Sequence, residues 1–234
     1  MKSDGIKSAA QALHYWEQRQ AAMSHNLANV STRGFKGERV FAHLLAEVSG
    51  PGAQSATDFA QGQLTPTGRP LDMAIEGDGF FLVDTPAGER LTRGSGFRVD
   101  QTGTLVDVAG NPVLDAGRNP IVLPPGQVEV TERGEILVEG SGISTLRLEK
   151  APDGARLQRE GSLYFVPGPA EDRVELEPGA VKIRQGHLEE SNVDAVSALV
   201  DMIEIQRSYQ AVQRSVVTAD SVLDTIANDL GRLR

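Results

Sequence analysis

An α+β architecture, with a helix at each end and a mainly antiparallel β domain between them, is predicted by the placement of two residue types and by two apolar repeats. All 12 prolines lie between Pro51 and Pro178, and 21 of the 25 glycines lie between Gly37 and Gly179. Helix interiors exclude these residues and turns collect them. The ends carry apolar residues at helical spacing, whereas the middle carries short apolar runs broken by turns.

At the N-terminal end, Ile6, Ala9, Leu13, Trp16, Gln20, Met23, Leu27 and Val30 follow one another at alternating steps of three and four. This is an a/d stripe interrupted once by Gln20, and it predicts a helix over residues 5–30, about 39 Å long. At the C-terminal end no Gly or Pro occurs from Ser191 to Leu230. Ser191 is a candidate N-cap, with Asp194 three residues on as a weak capping box. The apolar positions there are too many for one stripe, because Ile203 and Ile205 cannot face a single partner helix. A helix apolar on several sides is covered from several sides.

Between them, "GFFLVDTPAGERLTRGSGFRVDQTGTLVDVAGNPVLD" sets short apolar runs against Pro-Ala-Gly, Gln-Thr-Gly and Ala-Gly-Asn-Pro turns. "QVEVTERGEILVE" predicts a further hairpin about Arg133-Gly134, and "LYFV" and "VELEP" add strand candidates. Residues 49–63 are small and polar and are read as an ordered loop or linker. The predicted division is a helical segment over 1–35, a connecting loop over 36–68, a β-rich domain over 69–185 and a second helical segment over 186–234.

Composition narrows function. Of 234 residues, 23 are Lys or Arg and 32 are Asp or Glu, for a net charge of −9. That balance disfavours nucleic acid, whose phosphates need clustered cations. The absence of cysteine excludes disulfides and zinc–thiolate sites. No apolar run reaches the ~18 residues of a membrane span, and residues 1–30 carry no secretory signal pattern.

Candidate chemistry is thin. His14, His25, His43 and His187 are the only histidines, and the first two stand 11 residues apart, too far to share a metal. "GDGFF" (77–81) lacks both the spacing of a dinucleotide loop and a following helix. "DQTGTLVD" (100–107) lacks the oxygen ligands of an EF-hand. Asp72, Glu76 and Asp78 alternate along a strand and are read as a solvated face. Ser95 lacks the frame of a nucleophile elbow. No catalytic, metal or cofactor site is expected.

One stretch is unusual. "SHNLANVSTRGFKGERV" (24–40) places small amides and hydroxyls, then Gly-Phe, where a helix should stop. Asn29, Ser31 and Thr32 can bond the last helix carbonyls, Gly34 permits the positive φ that ends the helix, and Phe35 can anchor the outgoing chain.

The same stretch resembles the N-terminal signature of the bacterial flagellar rod, hook and hook–filament junction proteins, matched here at Asn26, Leu27, Ala28, Asn29, Thr32, Gly34, Phe35 and Lys36. "RPLDMAIEGDGFFLV" and "LTRGSGFRVDQTGTLVDVAGNPVL" resemble the central segment of that family. "GHLEESNVDAVSALVDMIEIQRSYQAVQRSVVTADSVLDTI" resembles its C-terminal helix. The resemblance implies an axial structural subunit without enzymatic activity or cofactor. Its terminal helices would pair as a coiled coil (D0) inside a β domain (D1). It would reach the periplasm unfolded through the flagellar type III export apparatus, and its partners would be other rod subunits and further copies of itself. The length of the chain leaves room for no domain beyond D1. This points to the rod, and "GQLTPTGRPLDMAI" and the tail "TIANDLGRLR" resemble its proximal part, with the distal rod or a related hook–basal body protein as the alternative.

On this reading residues 26–35 form the joint between helix and β domain. Ile6, Leu13, Trp16, Met23 and Leu27 are the packing positions of the first helix. Val196, Val200, Ile203, Gln206, Arg207, Tyr209, Val216, Leu223 and Ile226 are the packing and assembly positions of the second. Two other classes are weighed against it. A secreted adhesin-like module would need an aromatic platform, and a peptidoglycan-cleaving enzyme would need a cleft with paired carboxylates or a nucleophile. The sequence displays neither.

Overall fold

A computed structural model describes residues 2–43, 52–150, 157–169 and 173–232, with the backbone alone for 2–7, 42, 43, 52, 53, 219, 220 and 222–232. Two helices, α1 (Lys2–Ala28) and α2 (Ala195–Arg232), flank seventeen strands. In chain order these are β1 (Glu38–His43), β2 (Gly52–Thr57), β3 (Leu64–Pro66), β4 (Met73–Glu76), β5 (Phe80–Thr85), β6 (Gly88–Thr92), β7 (Arg98–Val99), β8 (Leu105–Val106), β9 (Val128–Val130), β10 (Glu135–Val138), β11 (Ser141–Thr145), β12 (Leu148–Lys150), β13 (Gln158–Glu160), β14 (Tyr164–Val166), β15 (Val174–Glu175), β16 (Lys182–Gln185) and β17 (His187–Glu189).

The chain forms two compact units. One consists of residues 1–28, 38–56 and 194–234, and the other of residues 29–37 and 57–193.

In the first unit α1 packs against α2 and against β1, which pairs with β2 in a two-stranded ribbon. Residues 49–63, expected to be loop, therefore include a strand over 52–57, and the segment 36–68 holds three strands. The small side chains of "GAQSAT" carry little intrinsic strand preference, so pairing with β1 supplies the conformation. Helix α2 begins later than Ser191. Asp194 Oδ1 accepts the Ser197 amide at 2.7 Å and is the N-cap, while Ser191 Oγ accepts the Val193 amide at 3.2 Å. Bonds from the Ser197 amide and hydroxyl hold the Asp194 carboxyl below its ordinary range.

The second unit is built on a six-stranded antiparallel sheet ordered β13-β14-β6-β5-β12-β15. Strand β5 lies at its centre. Phe81 and Val83 enter a large core with Met73, Ile75, Phe97, Leu105 and Ile183, and Phe80 and Leu82 enter a smaller one with Leu91, Leu114 and Phe165. Successive strand side chains point to opposite faces, so both faces of β5 are buried. The hairpins expected about Pro-Ala-Gly, Gln-Thr-Gly and Arg133-Gly134 are the β5–β6, β7–β8 and β9–β10 turns.

One turn design recurs three times. Asp100, Asp107 and Asp115 each direct Oδ1 to the amide four residues on, that of Thr104, Asn111 and Asn119, at 2.8–2.9 Å. The strands leaving these turns close a ring. The Leu105 amide donates to the Ile121 carbonyl, Ile121 to Val113 and Val113 back to Leu105, at 2.8, 3.0 and 2.9 Å. The fourth residue of each turn has positive φ and is Gly103, Gly110 or Arg118. The Asp100 carboxylate accepts the Thr102 hydroxyl at 2.7 Å as well as turn amides, and these bonds, the hydroxyl's first, hold it below its ordinary range.

Candidate functional site

Helix α1 stops at Ala28, two residues earlier than the apolar repeat predicts, and the following chain turns into the β domain. Asn26, 6% exposed, clamps the start of β1. Its Nδ2 donates to the Glu38 carbonyl and its Oδ1 accepts the Glu38 amide, both at 2.8 Å. One side chain thereby satisfies both backbone groups of Glu38, as a paired strand would.

From Asn29 onward the chain belongs to the β unit. The Thr32 amide donates to the Asn29 carbonyl at 3.0 Å and the Phe35 amide to the Thr32 carbonyl at 3.2 Å. The Thr32 hydroxyl donates to Asn29 Oδ1 at 3.1 Å rather than to a helix carbonyl. Ser31 is exposed. Gly34 adopts φ 71° and donates its amide to the Glu189 carbonyl at 2.7 Å. A Cβ there would stand 2.3 Å from the Arg93 carbonyl oxygen. Both backbone conformation and close approach therefore demand glycine.

Phe35 is fully buried, with the Arg159 guanidinium 4.8 Å from its ring centre. Lys36 is 1% exposed. Its Nζ donates to Glu189 Oε1 at 2.6 Å and to the Ala60 carbonyl at 2.8 Å. The same carboxylate oxygen accepts the Gly62 amide at 2.9 Å, while Oε2 accepts Arg93 Nη1 at 3.3 Å. Arg93 also donates to the Gly77 carbonyl at 2.6 Å and lies over the Phe80 ring. Burial lowers the Lys36 pKa, and the Glu189 carboxylate opposes that fall.

Gly37 completes the turn. Its amide donates to Asn192 Oδ1 at 2.7 Å and its carbonyl accepts the Asp58 amide at 2.7 Å. Asn192 Nδ2 donates to the Asp58 and Ala60 carbonyls at 2.8 and 3.1 Å. Gly62 cannot be larger, since a Cβ would stand 2.0 Å from the Glu190 carbonyl oxygen. The result is a cluster, buried at Gly34, Phe35, Lys36, Gly62, Arg93 and Glu189, in which residues 34–37, 58–62, 93 and 189–192 are joined by charge-assisted and backbone bonds.

The motif residues thus fall into two sets. Asn26, Leu27 and Ala28 belong to the helical unit, and Asn29, Thr32, Gly34 and Phe35 to the β unit. Sequence reading did not identify Glu189, Arg93, Asn192 or Gly62 as members of the cluster. The available signal was Glu189 itself, a charge immediately after Leu188 at the end of a strand.

On α1, Leu13, Trp16, Met23 and Leu27 are half-buried, and Ala22, off the predicted stripe, is the most buried apolar residue among those described. On α2, Val196, Val200 and Ile203 are exposed, as are Gln206 and Arg207. Tyr209 and Val216 are half-buried, and the Tyr209 hydroxyl donates to Glu17 at 3.2 Å. The inward positions of α2 are Ala198, Met202, Ile205, Tyr209, Val212 and Val216, in steps of four and three. The side chains of Ile6, Leu223 and Ile226 lie outside the described residues.

The candidate chemistry resolves into structure. Asp72 is buried, not solvated, and pairs with Arg69 at 2.8 Å. Ser95 Oγ accepts the Glu189 amide at 3.1 Å. Among the described residues no group of three His, Asp or Glu side chains is placed to hold a metal, and no helix is long and apolar enough to cross a membrane.

Comparison with known proteins agrees with this layout. Residues 184–230 match the family described as flagellar basal body rod FlgEFG protein C-terminal, and residues 74–138 match the flagellar hook protein FlgE/F/G D1 domain. The chain is 31% identical to the flagellar basal-body rod protein FlgF of Mesorhizobium japonicum, across 96% of this chain and 98% of that one. It is 33% identical to FlgF of Rhizobium meliloti, across 93% and 94%. It is 31% identical to the flagellar basal-body rod protein FlgG of Bacillus subtilis, across 88% and 91%. Similarity of this depth along nearly the whole chain means that it belongs to the flagellar basal-body rod protein family.

Proposed function

We propose that this chain is an FlgF-like structural subunit of the proximal rod, polymerising with further copies of itself and other rod subunits into a hollow axial shaft in the periplasm. It performs no chemistry; its work is to assemble and carry torque. The observation that carries the reading is the outer face of α2. Val196, Leu199, Val200 and Ile203 are 70%, 50%, 50% and 51% exposed and share one face at i, i+3, i+4 and i+7. Such a stripe is a liability for an isolated molecule and an asset for a polymer. Helices α1 and α2 pair as a coiled coil in the assembled shaft, and subunits arrive unfolded through the type III export apparatus. The proximal assignment draws on "GQLTPTGRPLDMAI" and the tail "TIANDLGRLR".

Electron microscopy of basal bodies from cells lacking the gene, complemented with a tagged copy, tests this. A rod that stops early, with the tag on the proximal rod, is the expected result. An intact proximal rod with the distal part missing would reassign the chain to the distal rod. A complete rod without the chain would overturn the axial reading.

A further inference from the structure

The chain passes between its two units four times, at 28–29, 37–38, 56–57 and 193–194. Three of these passages leave the β unit from one place. Asn192, half-buried and two residues before the α2 N-cap, lies on the last of them. Its Oδ1 accepts the amide of Gly37, the residue at the second passage, at 2.7 Å. Its Nδ2 donates to the carbonyl of Asp58, just inside the third, at 2.8 Å and to the Ala60 carbonyl at 3.1 Å. Both side-chain donors and the acceptor oxygen are thus used. The Asp58 amide closes the triangle on the Gly37 carbonyl at 2.7 Å, and the Asn192 amide donates to the Phe35 carbonyl at 3.3 Å. Lys36 Nζ shares the Ala60 carbonyl with Asn192, at 2.8 Å, which joins the triangle to the buried Lys36–Glu189 pair.

We propose that Asn192 is a positioning residue that ties three connecting segments into one node of the β unit, so that tension or fraying arriving along one segment is resisted by all three. This deepens the rod reading and rests on it for its use, since a shaft that carries torque strains the chain where it passes between units. Segments held separately peel away one after another. Segments bonded to each other must yield together, and such a cooperative opening costs more than the loss of any single bond. Opening of the helical unit therefore stops at the node and leaves the β unit intact. Asparagine suits the position in both shape and charge. Aspartate lacks the two donors and would set a carboxylate against two carbonyls. Glutamine would carry its amide one methylene too far.

Hydrogen exchange of the full chain reads the node. In Asn192→Ala the Gly37 amide loses its acceptor, and a merely local role ends there. The node predicts that the Asp58 amide, which bonds Gly37 and not Asn192, exchanges faster with it, by roughly tenfold or more, while the amides of β5 keep their wild-type rates. An Asp58 amide at its wild-type rate would overturn the proposal. Should Asn192→Ala not fold, Asn192→Asp, which keeps the acceptor and loses both donors, is read at the same amide with the same two outcomes. In cells lacking the native gene, Asn192→Ala is expected to enter basal bodies in near wild-type number, and the rods to break severalfold more often when the cells swim in viscous medium. Tyr164→Phe, which removes bonds to Asp107 and Asn111 elsewhere in the β unit, is expected to break no more often than wild type. Equal breakage in the two variants, or none in Asn192→Ala, would overturn the mechanical role. The rod reading is scored separately, in the deletion strain: a truncated rod there, with an unchanged Asp58 amide here, sinks only this inference.

Discussion

Lys36 Nζ and Glu189 Oε1 stand 2.6 Å apart although 153 positions separate them in the sequence, and each side chain is 1% exposed. The pair joins the outgoing end of the N-terminal motif to the last strand before α2. Arg93 is the third member, so one carboxylate serves two buried cations. Replacing Glu189 by Gln leaves both uncompensated, and breaking a buried pair in this way costs about 3–5 kcal/mol. Chemical denaturation of the variant should show a loss of that size, larger than for Lys36→Met, which leaves Glu189 with Arg93.

Lys36 also predicts a pH dependence. Its folded pKa is lowered from 10.5, chiefly by burial. Between that lowered value and 10.5 the unfolded chain holds a proton that the folded chain has released, so this group's contribution to stability rises with pH across the window. Melting of the wild type relative to Lys36→Met should therefore improve on moving from neutral pH toward 10.5. A flat difference would show that the cluster holds Lys36 charged throughout.

Gly34→Val meets two penalties together. A branched side chain is forced to φ 71°, and its Cβ collides with the Arg93 carbonyl. A loss of about 2 kcal/mol or more is expected from the backbone conformation alone, with failure to assemble a normal rod. Normal rods from this variant would remove the joint from the account.

Asn26→Ala removes a donor and an acceptor from Glu38 and leaves its backbone groups without these partners, at about 1–3 kcal/mol. Asn26→Asp keeps the acceptor and should lose less. Hydrogen exchange at the Glu38 amide distinguishes them, being fast in Asn26→Ala and still retarded in Asn26→Asp.

Limited proteolysis of the monomer should trim α1 and α2 and leave a core of about residues 29–193, because residues 29–37 are bound into the β unit. Folding of the helices on incorporation would then limit premature aggregation. Resistance of both helices in the free monomer would contradict it.

Much of this was legible from residue spacing, and the limits are physical. The turn at Gly34 could be read from Gly-Phe after a helix, because its positive φ is a local property. Its second requirement, the Arg93 carbonyl, could not, since it lies 59 residues on. Lys36 was visible as a letter of the motif, but nothing local distinguishes a buried lysine from a solvated one. The strand over 52–57 escaped because its side chains are too small to form an alternating pattern. Asp194 rather than Ser191 caps α2, and both residue types suit the position, so sequence alone could not choose. The two faces of α2 were foreseeable as more than one stripe, but which faced inward depended on α1.

The ring formed by Leu105, Val113 and Ile121 has an arithmetic consequence. Three turns of near-equal length each give one bond and take one, so the circle has no vacant seat. Duplication could add a fourth turn only by opening it, and loss of one would leave one carbonyl and one amide facing each other across a gap. The backbone thus fixes the count at three, while Leu105, Val113 and Ile121 turn their side chains into the core.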